Sequence, residues 1–142
     1  MTDAAVQPAG IGATLYVIRG EKTLLGGFFN AKLPTFQKRW LPCELEGVAI
    51  GMSLAHFSPY ILQSSHKPVV LTDSKACVDA VKKLGRGEYS TSSRLCTFLS
   101  MVSRYGAIVK HLQGSNNILS DYISRNTVPC TDQRCQICKF IN

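Results

Sequence analysis

Apolar runs rich in β-branched and aromatic side chains open the chain and predict a β-hairpin. Residues 10–18 have this character, and residues 23–29 repeat it after a polar turn at residues 19–22. Gly26 and Gly27 interrupt the second arm, where they weaken the strand or mark a bulge. The chain therefore begins with two antiparallel strands, followed by a loop over residues 30–41.

Later segments carry apolar residues at helical spacing. The first helix is expected to run from Pro42, which suits a first helical turn, to about His56, because Pro59 limits its continuation. Serine N-caps begin two more helices, and a short helix follows near the end. The four predicted helices are 42–56, one that follows Ser74 and ends at Gly85, one that begins at Ser92 or Ser93, and 117–125.

Two further runs separate these helices and read as strands. Residues 68–72 are wholly apolar until Asp73, which is typical of a central strand covered on both faces, and residues 107–112 form another strand. The order is strand, strand, helix, strand, helix, helix, strand, helix. Strands interleaved with helices predict an α/β fold with a mixed sheet covered by helices.

Length and composition narrow the function classes. The 142 residues suit one domain, and the net charge of +7 favours a polyanionic partner. No segment approaches the ~20 apolar residues of a membrane span, and the N-terminus lacks a signal-peptide pattern. The six cysteines fit a reducing compartment better than a disulfide scaffold, so we expect an intracellular protein.

Four of the nine acidic residues lie where predicted elements begin or end: Asp3, Glu44, Asp73 and Asp121. Strand ends and helix starts of an α/β sheet meet at one edge, so these carboxylates are candidates for a common site. Their mutual repulsion would be relieved by Mg²⁺, and two ions ~4 Å apart can clamp the attacking and leaving oxygens of a phosphodiester. Each acid taken alone is more often a solvated cap or turn residue than a metal ligand, and only the set of four shifts the balance.

The local motifs around these acids resemble the ribonuclease H domains of long-terminal-repeat retrotransposon polyproteins, particularly those of BEL/Pao elements. The matches cover residues 2 to about 126, and a C-terminal tail spans 127–142. The matching segments are Thr2-Asp3-Ala4-Ala5 with Gly10-Ile11-Gly12-Ala13, Trp40-Leu41-Pro42-Cys43-Glu44-Leu45-Glu46, Leu71-Thr72-Asp73-Ser74, and His111-Leu112-Gln113-Gly114 continuing to Asp121-Tyr122-Ile123-Ser124-Arg125. The tail segment Cys135-Gln136-Ile137-Cys138 also resembles the sequence on the C-terminal side of the ribonuclease H domain in these polyproteins.

The resemblance implies a ribonuclease-H-like fold with a mixed five-stranded sheet flanked by helices. It also implies an endoribonuclease that cleaves the RNA strand of RNA–DNA hybrids with two Mg²⁺ ions, for which Mn²⁺ can substitute. Asp3 would bridge both ions, Asp121 would complete one site, and Glu44 and Asp73 the other. The implied partners are the hybrid and an adjoining reverse transcriptase domain, in a cytoplasmic virus-like particle or the nucleus.

Three details refine these expectations. Glu44 is preferred to Glu46 because it directly precedes Leu45, and because Glu46 lies about 200° around the helix, where we expect it to be solvated. Only two residues precede Asp3, so a shortened first strand is expected to hold it loosely. His111 is interpreted as a structural residue at the end of a strand. The alternative, implied by the resemblance, is the loop histidine near the last acid that aids product release in some family members.

Basic residues and cysteines supply further candidates. The candidate nucleic-acid contacts are Lys82, Lys83, Arg86, Arg94 and Asn117, for which solvated helix faces are the alternative interpretation. The C-terminal thiols Cys130, Cys135 and Cys138 have a spacing seen in zinc sites but are one ligand short of a closed site. Whether His111 or another residue supplies a fourth ligand, or whether no zinc site exists, stays open.

Two other functions stay open beside the hydrolase. One is a non-catalytic ribonuclease-H-like module that connects polyprotein domains or binds nucleic acid. The other is a different nuclease or an integrase of the same broad superfamily. Cleavage of RNA in a hybrid, binding without cleavage, and cleavage of DNA would distinguish the three.

Overall fold

The computed structural model describes residues 1–5, 9–33, 40–88, 92–127, 131, 133 and 134. Helices and strands alternate in the predicted order, with one additional strand at the start and one additional short helix. The elements are β1 (Thr2–Ala5), β2 (Gly10–Arg19), β3 (Lys22–Lys32), α1 (Pro42–His56), α2 (Ser58–Gln63), β4 (Val69–Thr72), α3 (Lys75–Gly85), α4 (Ser93–Arg104), β5 (Ile108–His111) and α5 (Ile118–Arg125). A 3-10 turn at Gly114–Asn116 precedes α5.

The strands form two ladders. β1, β2 and β3 pair antiparallel in that order, and β4 and β5 pair parallel. β1 lies beside β4, but the two four-residue strands share no ladder, so the expectation of one five-stranded sheet is not confirmed. The expected bulge is present, because the register of β2 and β3 shifts between Leu15 and Tyr16 and leaves Gly26 without a partner.

Helix α1 begins and ends at the predicted residues and is the centre of the core. Ile11, Ala13 and Phe29 of the antiparallel sheet pack against one side of it. Side chains of β4, α3 and α4 pack with Ile50 and Leu54 on its other side. As expected, Pro59 does not extend α1. It lies instead in the first turn of the separate helix α2, where proline is tolerated.

Helix α5 covers the other face of β1 and β2. Successive side chains of a strand point to opposite faces, so Ile11 and Ala13 face α1 while Gly10 and Gly12 face α5. A Cβ at Gly12 would lie 2.6 Å from the main-chain nitrogen of Ser124 and 2.8 Å from the main-chain oxygen of Ser120. Glycine at this position therefore allows the backbone of α5 to touch β2.

No helix among the described residues combines the length and the apolar character needed to cross a bilayer.

Candidate metal centre

Three carboxylates from three separate elements meet at one point. Asp3 lies in β1, Glu46 in the second turn of α1, and Asp73 directly after β4. One oxygen of each lies within 4.8 Å of the other two. Carboxylates that are far apart in sequence thus form one cluster, as the sequence predicted for two of them, Asp3 and Asp73.

Neighbouring groups hold these side chains in place. The main-chain N–H of Ala4 donates to Oε1 of Glu46 at 3.2 Å. The buried hydroxyl of Ser124 donates to Oδ2 of Asp3. The expectation that Asp3 is loosely held is therefore wrong, because Asp3 is only 5% exposed and is paired in the β1–β2 ladder opposite Gly12.

Burial and the nearby charges raise the pKa of two of these acids, Glu46 and Asp3. Burial, followed by the charges of Asp3 and Asp73, raises the pKa of Glu46 to about 8. Burial also raises the pKa of Asp3, to which the charges of Asp73 and Asp121 contribute, although the hydrogen bond from Ser124 acts in the opposite direction. Without a cation, a proton on Glu46 reduces the repulsion between the carboxylates and the cost of burying a charge.

An unsatisfied oxygen makes the cluster chemically suited to a cation. Oε2 of Glu46 is buried and has no hydrogen-bond partner among the described residues. Buried acceptors are normally satisfied, and a hard divalent cation is bound by carboxylate oxygens. The donor set of Asp3, Glu46 and Asp73 therefore fits Mg²⁺ or Mn²⁺.

Asp121 lies close to this cluster but outside it. The hydroxyl of Ser124 contacts both Oδ2 of Asp3 and the main-chain oxygen of Asp121, so the two residues are neighbours. The charge of Asp121 also contributes to the raised pKa of Asp3. Its Oδ1 accepts a hydrogen bond from Nε of Arg125 at 2.9 Å, one turn along α5. The fourth predicted acid is thus at the edge of the site, and it is paired with a cation of its own helix.

Glu44 does not point into the cluster, which corrects the assignment made from the sequence. Its Oε2 accepts the main-chain N–H of Leu41 at 3.0 Å, and its Oε1 accepts the hydroxyl of Ser92 at 2.7 Å. Burial opposes its ionisation, but these hydrogen bonds and the charge of Arg94 outweigh burial and lower the pKa of Glu44. Glu44 therefore ties the start of α1 to the start of α4.

The expectation that Glu46 is solvated is wrong, because the part of α1 that follows it is buried on all sides. Residues 47–54 are buried without interruption, so α1 has almost no solvent-exposed face in this region. A helix that is apolar all round is a buried helix. The apolar and small residues from Gly47 to Leu54 were the sequence signal that Glu46 could not simply face water.

The candidate nucleic-acid contacts have different surroundings. Lys82 and Lys83 are exposed in the last turn of α3, and Arg86 is paired with Glu88 at 3.3 Å. The guanidinium of Arg94 lies 4.6 Å from the ring centroid of Trp40 and 3.6 Å from Glu44.

Asn117 departs from its predicted role as a surface contact. It is 1% exposed, and its amide donates to the main-chain oxygen of Thr2 at 2.8 Å. It therefore supports β1 from inside the protein and does not present its side chain to a nucleic acid.

The remaining candidates are His111 and the cysteines. His111 is exposed at the end of β5, in register with Thr72, as expected of a strand-end residue. Within the described part of the chain, Cys43, Cys77 and Cys96 form no disulfide, and burial raises the pKa of Cys77 to about 11. The predicted zinc ligands Cys130, Cys135 and Cys138 lie outside the described residues.

An α/β core with α1 and α5 on opposite faces of the β1–β2 strands, and acids from β1, from α1 and from the residue after β4 at one point, defines a ribonuclease-H-like fold. No family model matches the sequence. The chain is similar in structure to ribonuclease H1 from the halophilic archaeon Halobacterium salinarum NRC-1, with a TM-score of 0.60 and 12% sequence identity. The match covers 87% of this chain and 90% of that one, and it establishes the fold.

Proposed function

We propose that the protein is a metal-dependent endoribonuclease that cleaves the RNA strand of RNA–DNA hybrids. The observation that carries this proposal is the orphaned Oε2 of Glu46 beside the carboxylates of Asp3 and Asp73. A buried acceptor among three acids is costly unless a proton or a cation satisfies it. A ribonuclease-H-like fold with such a cluster supports hydrolysis of a phosphodiester as its chemistry.

The protein's own residues have distinct parts in this mechanism. Asp3, Glu46 and Asp73 would hold divalent cations, and Asp121, now paired with Arg125, would be the further ligand that a second ion needs. Bound Mg²⁺ or Mn²⁺ supplies Lewis-acid stabilisation of the attacking and leaving oxygens. The main-chain N–H of Ala4 orients Glu46 in advance, which lowers the cost of reorganisation during the reaction.

The substrate assignment rests on charge and on resemblance. The net charge of +7 and the exposed Lys82 and Lys83 favour a polyanion. The structurally similar protein is a ribonuclease H1. The motifs from Thr2-Asp3 to Ser124-Arg125 resemble retrotransposon ribonuclease H domains, so we place the chain in a BEL/Pao-like polyprotein. Its partners there would be a reverse transcriptase domain and the hybrid, inside the cell.

Two glutamates on the same helix provide a matched test. Glu46→Gln should abolish Mg²⁺-dependent cleavage of a labelled RNA–DNA hybrid, because the amide replaces a charged ligand. Glu44→Gln should keep cleavage and lose stability, because Glu44 bonds Ser92 and Leu41. Single-stranded RNA and duplex DNA are the control substrates. Full cleavage by Glu46→Gln, or cleavage of duplex DNA alone, would overturn the proposal.

One observation favours a second candidate, a ribonuclease-H-like module that binds nucleic acid without cleaving it. Asp121 is paired with Arg125, and the cluster found among the described residues contains three acids, Asp3, Glu46 and Asp73. This candidate predicts that the wild-type protein binds the hybrid but cleaves it in neither Mg²⁺ nor Mn²⁺. The wild-type measurement thus separates the two candidates. If wild type cleaves the hybrid, Arg125→Ala, which frees Asp121, should leave cleavage undiminished if Asp121 belongs to the active site.

A further inference from the structure

Helix α5 brings a buried hydroxyl to the metal centre from the side opposite α1. Ser124 is 0% exposed, and its Oγ donates to Oδ2 of Asp3, which lies 121 positions earlier in the chain. We propose that Ser124 is a positioning residue of the metal centre, which holds the Asp3 carboxylate in the orientation that binds the divalent cation. This inference rests on the proposed function.

The hydroxyl has one proton and two acceptors within reach. The second acceptor is the main-chain oxygen of Asp121, at 2.8 Å. A hydrogen bond to an ionised carboxylate is stronger than one to a neutral carbonyl, so the proton belongs on the bond to Asp3. The contact with the Asp121 carbonyl then fixes the rotamer of Ser124 from its own helix.

Holding Asp3 is useful because its neighbours repel it. A carboxylate turns easily about its last side-chain torsion, and Glu46 and Asp73 lie close enough to push it away when ionised. The bond from Ser124 occupies one of about four acceptor sites on the carboxylate and leaves the others for a cation. Groups that orient a metal ligand in this way typically contribute ten- to a hundredfold to metal affinity.

Ser120 provides a control on the same helix. It is also 0% exposed and lies one turn before Ser124. Its hydroxyl lies 3.2 Å from that of Thr14 and 3.1 Å from the main-chain oxygen of Met1, and neither partner is an acid. Removing it therefore removes a buried hydrogen bond from α5 without touching the carboxylate cluster.

The test measures Mg²⁺ directly as well as cleavage. For wild type, Ser124→Ala and Ser120→Ala, we would record the rise in melting temperature with added Mg²⁺ and the Mg²⁺ concentration for half-maximal hybrid cleavage. Ser124→Ala should need at least about tenfold more Mg²⁺ in both measurements. Ser120→Ala should have a lower melting temperature without metal but keep the wild-type Mg²⁺ dependence of both measurements.

The outcomes separate this inference from the proposed function. If the wild-type protein neither responds to Mg²⁺ nor cleaves the hybrid, the proposed function fails. If it does both and Ser124→Ala matches it, or if Ser120→Ala shows the same shift as Ser124→Ala, Ser124 has no positioning role. Should Ser124→Ala not fold, Ser124→Cys replaces it. A thiol is only a weak donor, so the same direction of change is expected.

Discussion

The substitution Gly12→Ala should disable the site by displacing α5, which touches β2 at this glycine. The Cβ of Gly12→Ala would lie 2.6 Å from the main-chain nitrogen of Ser124, whereas an ordinary contact begins at about 3.4 Å. This nitrogen and the main-chain oxygen of Ser120, at 2.8 Å, both belong to the backbone of α5, so rotating a side chain cannot relieve the clash. The helix must retreat by about 0.8 Å, and it carries Ser124 and Asp121 with it.

Gly12→Ala should lower both the free energy of unfolding and the rate of hybrid cleavage. Overpacking of this kind typically costs about 1–3 kcal/mol of unfolding free energy. A displacement of about 1 Å at a catalytic group can lower the rate ~100-fold. Urea unfolding gives the first quantity, and cleavage of a labelled hybrid at saturating Mg²⁺ gives the second. Cleavage should therefore fall further than the folded fraction does.

Gly85 is the matched control for this substitution. It ends α3, and a Cβ there meets no atom within 4 Å. Gly85→Ala should change stability by no more than ~0.5 kcal/mol and leave cleavage unchanged. Wild-type stability and cleavage in Gly12→Ala would refute the reasoning, because they would mean that the close approach of α5 to β2 has no effect on the site.

Two more predictions concern the glutamates of α1. In metal-free protein, burial raises the pKa of Glu46 from its ordinary value of 4.5 to about 8, so between these pH values Glu46 is protonated in the folded state and ionised in the unfolded state. The free energy of unfolding should therefore fall as pH rises through this range, by at most ~1.4 kcal/mol per pH unit from this group. Urea unfolding in a chelator from pH 5 to 8 measures the slope, and Glu46→Gln should flatten it; an equal slope in that variant would exclude Glu46 as its source. Ser92→Ala removes both the N-cap of α4 and the hydrogen bond to Glu44, so it should cost about 1–3 kcal/mol. Its Mg²⁺ dependence should stay that of wild type, and a change there would place Glu44 in the metal centre after all.

The amino-acid sequence by itself predicted most of the helices and strands and identified Asp3 and Asp73 as candidate site residues. Periodic apolar residues and Pro42 define α1, and the serine caps define the starts of α3 and α4, because these signals act within a few residues. Asp3 and Asp73 were predicted for a common site from their places next to strands. The Gly26 bulge was also readable, since an extra residue in one arm of a hairpin is a local feature.

Only the tertiary structure decided which glutamate joins the cluster. The local sequence favoured Glu44 over Glu46, but the choice depends on what α1 packs against. Because α4 starts beside Glu44 and β1 passes beside Glu46, the first glutamate bonds Ser92 and the second lies with Asp3. Such contacts join residues more than 40 positions apart, and they depend on packing that no local pattern encodes.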